Sequence, residues 1–109
     1  MIVILPQIIS KSFSAVTIYP FIFLKHQRCK KDHVLINHEL IHIRQQKELF
    51  WLVFFIWYLA EYLIKWMYYR NSYMAYRNIS FEREAYAFEN DLDYLSRRRF
   101  FAFFRFVRV

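Results

Sequence analysis

Not one glycine occurs in the 109 residues, and the two prolines stand at positions 6 and 20. Glycine supplies the left-handed backbone conformations on which phosphate-binding loops, dinucleotide folds and tight hairpin turns depend, so this chain is ill-suited to bind nucleotides through such loops. From Val34 onward neither breaker appears. The good helix formers of HELIHIRQQKELFWLV run on into FFIWYLAEYLIKWMYYR, as one long helix or two. The expected fold is mainly α: a short N-terminal β element, a long helix carrying HELIH, and a second amphipathic helix downstream. The length suits one domain covering residues 1–109. A hydrophobic share of 58%, with 23% aromatic, excludes disorder for most of it.

The opening MIVILPQII is apolar but lacks a basic leading region and ends its run at Pro6, which does not read as a cleavable signal. Ala15 to Leu24 (AVTIYPFIFL) reads as an extended segment, a strand or hairpin that Pro20 places at a sheet edge. The basic stretch Lys25 to His33 reads as a loop. Its Cys29, the one cysteine of the chain, has no internal disulfide partner and fits a reducing compartment. Leu49 to Tyr69 is a hydrophobic, aromatic helical segment that reaches the roughly 20 residues of a membrane span only by including Glu61 and Lys65. The alternative is a core or interfacial helix with Trp51, Trp57 and Trp66 at headgroup depth. Glu61, costly in so apolar a stretch, is expected to pair with Lys65 one turn on. Arg70 to Ser80 reads as a turn, with Ser80 capping the next helix. In that helix Phe81, Ala85, Phe88, Leu92 and Leu95 recur at helical spacing, with acids early and arginines late.

The tail 97–109 mixes Arg97, Arg98, Arg99, Arg105 and Arg108 with five phenylalanines. Together with a net charge of +7, this favours an anionic partner. The aromatic excess points to the cytoplasmic leaflet of a membrane, as surface association or insertion. Nucleic acid, with Phe100, Phe101, Phe103 and Phe104 as stacking platforms, ranks last.

The chemistry concentrates in His38-Glu39-Leu40-Ile41-His42. On a helix, the four-residue spacing sets both imidazoles on one face, where each can give a nitrogen to one tetrahedral Zn2+. Glu39 lies beside them and can serve as the general base of metal-assisted hydrolysis. A catalytic zinc ordinarily takes a third protein ligand. His26 and His33 lie upstream, but the better candidates are Glu82 and Glu84 on the downstream helix, Glu82 preferred and Glu84 its rival. Of the polar residues that follow the motif, Gln46, one turn beyond His42, is the expected orienting partner of an imidazole or of a bound carbonyl, ahead of Gln45 and Glu48. Tyr76, Tyr86 and Arg83 are candidate oxyanion donors.

HELIH followed by Glu82-Arg83-Glu84-Ala85 resembles the gluzincin branch of the HExxH zinc metallopeptidases, in which a glutamate of an ExxA-type motif on a later helix completes the site. The membrane-embedded heat-shock and CAAX-processing peptidases are the nearest kind, and small bacterial proteins carry similar HELIHIRQQ and FEREAY stretches. The resemblance covers about half the chain and departs from the larger families at Tyr86, where they usually carry an aspartate. It implies that His38, His42 and Glu82 bind zinc, that Glu39 is the base, that Ala85 permits close packing, and that peptides or proteins are the substrates. A different class of answer is a non-catalytic zinc-binding protein with a structural or regulatory role at a membrane.

Overall fold

The computed structural model describes residues 2–4 and 14–108; Pro6 lies outside them. The fold is mainly helical, with a small three-stranded sheet on the N-terminal side. The strands are β1 (Ile2–Ile4), β2 (Ala15–Ile18) and β3 (Phe21–Leu24), in the order β1-β3-β2. β2 and β3 form an antiparallel hairpin in which Ile18 faces Phe21 across the Tyr19-Pro20 turn, and β1 joins β3 in parallel. Pro20 thus occupies the turn, and the strand after it is the central one. Alternation puts Ala15 and Thr17 of β2, and Ile22 and Leu24 of β3, on the buried face. There Ala15, Ile22 and Leu24 pack with Cys29 against Leu35, Ile36 and Ile43.

A 3₁₀ turn at Gln27–Lys31 leads into α1 (His33–Glu48). Asp32 begins the helix, its carboxylate accepting the Leu35 N–H at 3.0 Å, which satisfies one of the unpaired amides of the first turn. The helical run of the sequence is two helices, not one. α1 ends at Leu49, and α2 (Leu52–Tyr69) leaves at 112° to it. With no glycine to take the corner, Phe50 and Trp51 adopt positive φ of 51° and 24°, conformations that cost a bulky residue free energy. Among the described residues, no single helix is long and apolar enough to cross a membrane.

The expected turn after Arg70 contains a short helix, α3 (Ser72–Arg77), capped by the Asn71 side chain at 3.0 Å from Met74 N. Ser80 does not cap α4 (Ser80–Phe88) through its own side chain. Instead the Glu61 carboxylate of α2 receives the Ser80 backbone N–H at 2.9 Å and the Ser80 hydroxyl, and it also accepts from Trp57 Nε1 at 2.7 Å and Lys65 Nζ at 3.2 Å. A carboxylate at the positive end of a helix is stabilised by its free amides. The one acid of α2 is therefore buried as the anchor that seats α4.

The predicted helix from Phe81 to Arg99 stops at Phe88. The Asn37 amide of α1 gathers the carbonyls of Phe88, Glu89 and Asp91 at 3.2, 2.9 and 3.0 Å, diverting the chain into a turn that leaves Leu92 exposed. A short α5 (Tyr94–Arg97) and a 3₁₀ turn at Ala102–Phe106 complete the chain. Phe103 of the tail is fully buried with Phe54, Ile79 and Phe81; each such side chain contributes roughly 1.5–3 kcal/mol on removal from water. Ile41 of α1 meets Ala85 and Tyr94 in a separate cluster.

Candidate metal centre

α1 and α4 carry the candidate ligands, and α2, α3 and β2 line the cleft beside them. Positions 38, 39 and 42 project from one side of α1, and all three residues are buried. α4 lies against α1, the methyl of Ala85 set on Ile41. On α4, positions 82 and 84 differ by about 200° around the axis, so they face different surroundings. Glu82 points at the histidines: its Oε1 lies 3.1 Å from His38 Nε2 and 3.0 Å from His42 Nε2. Glu84 points the other way, to Gln45 Nε2 at 2.9 Å, to the Tyr94 hydroxyl at 2.6 Å and to the Arg98 guanidinium. The upstream His26 and His33 are exposed and away from the cluster.

The outer nitrogens of both rings are held. His42 Nδ1 lies 2.8 Å from Gln45 Oε1, and His38 Nδ1 lies 3.2 Å from Glu89 Oε1. The Gln45 amide donates to the Phe81 carbonyl at 3.1 Å and to Glu84, so its oxygen is the atom that meets His42 and Nδ1 is the donor. A ring whose single proton is held on Nδ1 turns its Nε2 lone pair toward Glu82 Oε1, and both rings are so oriented. The Tyr58 hydroxyl donates to Glu82 Oε2 at 2.7 Å, leaving Oε1 as the free oxygen. Burial, then the Glu82 charge, pushes the Tyr58 phenol up, so it remains a donor.

One atom from each of His38, His42 and Glu82 falls within 4.8 Å of the others. Two imidazole nitrogens and a carboxylate oxygen are a donor set that zinc accepts, and donors about 2.0–2.1 Å from a tetrahedral ion lie about 3.3 Å apart, close to the 3.1 and 3.0 Å that separate Glu82 Oε1 from the two Nε2 atoms. Protons bridge the same atoms when no ion does. Burial alone would lower the His42 pKa, but the Glu82 carboxylate overrides it and holds the imidazolium up to about 9. Burial opposes ionisation of Glu82, and His42 followed by His38 nevertheless keeps its carboxyl well below the usual carboxylate range.

Glu39 stands beside the cluster, its Oε2 3.9 Å from His38 Nε2. The Thr17 hydroxyl of β2 donates to its other oxygen at 2.6 Å, aiming the carboxylate along the cleft. That cleft, about 260 Å³, is lined by Ala15, Val16 and Thr17 of β2, by Phe54, Phe55 and Tyr58 of α2 and by Tyr76 of α3. Tyr76 is the candidate oxyanion donor that lines it. Tyr86 lies behind, edge-on to the His38 ring at 4.6 Å and hydrogen-bonded to Tyr76 at 2.8 Å. Arg83 faces the tail, donating to the carbonyls of Phe106 and Arg108.

For the imidazole, sequence reasoning named the wrong glutamine. Gln46 hydrogen-bonds not to His42 but to the outer edge of β2, accepting the Tyr19 N–H at 2.6 Å and donating to the Thr17 carbonyl at 2.9 Å. Gln45 orients the imidazole. Replacing Gln45 by Ala is expected to weaken zinc binding about 10- to 100-fold, measured by competition with a chromogenic chelator; Gln46→Ala should leave the affinity near that of the native chain. Sequence reasoning also missed Thr17 and Tyr58, whose roles depend on elements far apart in the chain. Comparison with protein-family models, with curated proteins and with solved structures gives no match for this chain.

Proposed function

We propose that the protein is a zinc-dependent hydrolase, a minimal peptidase in which His38, His42 and Glu82 hold the metal and Glu39 is the general base. The observation that carries this reading is the convergence of two imidazole Nε2 atoms and one carboxylate oxygen on a single buried point, beside a second carboxylate that is anchored but not consumed by the cluster. A purely structural zinc site closes with four protein ligands, whereas a catalytic one keeps a position open; three donors converging among the described residues, with an adjoining cleft, fit the second pattern. Zinc, when bound, supplies Lewis-acid polarisation of a carbonyl and acidifies a water. Glu39 would be the group that accepts a proton from the attacking water and passes it to the departing amine. Tyr76, lining the cleft, is placed to donate to the developing oxyanion.

A peptide substrate suits the walls. The strand β2 borders the cleft through Ala15, Val16 and Thr17, an extended wall along which a peptide backbone can lie. An open apolar groove of about 660 Å³ shares Phe55, Tyr58 and Tyr76 with the cleft and is lined further by Leu59, Tyr62 and Tyr73, which suits a large apolar side chain next to the cleaved bond. The test is cleavage of an unfolded protein such as casein by the purified full chain. Activity is expected to disappear with a zinc chelator and to return when zinc is added back. Purified protein that takes up no zinc, or cleaves equally well with chelator present, would overturn the reading.

A further inference from the structure

We propose that the outer face of α2 rests on an anionic lipid surface, with the helix lying in the plane of the interface rather than crossing it. The two ionic residues of α2, Glu61 and Lys65, are both buried and paired within the protein. The outward stripe is left as Leu52, Val53, Ile56, Leu59, Leu63, Ile64 and Met67, all exposed. Over 18 residues, about 27 Å, the exposed surface of this helix carries no charged side chain. Monomeric proteins rarely leave so long an apolar surface to water. Trp51 stands exposed at one end of the stripe, and Trp66 and Tyr68 at the other, residue types that favour the boundary between hydrocarbon and headgroups.

Charge decides between lipid and a second copy. Each chain carries +7, so apposing two copies sets like charges together, whereas an anionic surface is attracted. The tail meets the flank of α2, where Phe104 packs on the half-buried Trp57 at 5.6 Å, and exposed Phe100 and Phe104 stand between exposed Arg99 and Arg105. Phenylalanines that enter the acyl boundary beside arginines that meet phosphates are the composition of an interfacial anchor.

The experiment is flotation of the full chain with vesicles of phosphatidylglycerol and phosphatidylethanolamine, beside vesicles of neutral phosphatidylcholine. The native chain is expected to float with the anionic vesicles. Ile56→Glu with Leu63→Glu, both at exposed positions, should weaken partitioning by at least about a hundredfold, with circular dichroism confirming that the helices persist. Arg99→Gln with Arg105→Gln should weaken binding to anionic vesicles roughly tenfold or more and leave the neutral ones unaffected. His42→Ala should float like the native chain, which separates this proposal from the hydrolase reading. A native chain that stays at the bottom, or a Glu double variant that floats equally well, overturns it. So does a native dimer that the Glu substitutions convert to monomer without any vesicle binding.

Discussion

A chain carrying Glu39→Gln is expected to keep its fold and its zinc while peptide hydrolysis falls about 10²- to 10⁴-fold. The substitution changes one atom. Glutamine can still accept the Thr17 hydroxyl, which now meets Glu39 Oε1 at 2.6 Å, so the side chain should stay where it is. Its second atom becomes an NH₂, a donor with no proton affinity, where Glu39 Oε2 now lies 3.9 Å from His38 Nε2. The base is removed and the ligands are not. Elemental analysis and turnover measured on the same preparation read both halves. Full zinc with lost turnover supports the assigned role. Loss of zinc together with turnover would make Glu39 part of the metal site, and unchanged turnover would assign the cleavage to another protein in the preparation. In a non-catalytic zinc protein the substitution would alter neither measurement.

What the sequence made legible was the part that is local. The four-residue spacing of His38 and His42 fixes their common face whatever else the chain does, and hydrophobic periodicity finds the helix that carries Glu82. Choices settled by tertiary packing were not legible. Gln45 and Gln46 stand three and four residues beyond His42, both near enough to reach it; only the arrival of α4 on one side and β2 on the other assigns Gln45 to the imidazole and Gln46 to the strand. The corner at Phe50 and Trp51 carries no glycine or proline to announce it. The early stop of α4 is imposed by Asn37, 51 residues upstream of Phe88. The arginines of the tail looked alike in sequence, yet Arg98 is drawn inside while its neighbours remain in solvent.

That contrast yields the second large effect: Arg98→Ala is expected to destabilise the fold by about 3–5 kcal/mol, a fall in melting temperature of about 12–20 °C. The Arg98 guanidinium bridges two buried acids, donating to Glu48 of α1 at 2.8 and 3.1 Å and to Glu84 of α4 at 2.5 and 3.1 Å; the side chains of all three residues are at most 2% exposed. Removing the cation strands two carboxylates away from water, and it is this uncompensated charge, more than the lost hydrogen bonds, that sets the magnitude. Because Glu84 also holds Gln45, which orients His42, the damage should extend to zinc affinity; melting is therefore compared in chelator, where metal binding cannot mask the loss. Arg97→Ala is the control. Its pair with Asp91 lies in solvent, where ion pairs contribute little, and it should melt like the native chain. Adding Glu84→Gln to Arg98→Ala should recover part of the loss, since it neutralises one stranded charge while keeping an acceptor for Gln45 and Tyr94. If Arg98→Ala melts with the native chain, the clamp is not what holds α1, α4 and the tail together, and the packing of Phe103 against Phe81 must do so instead.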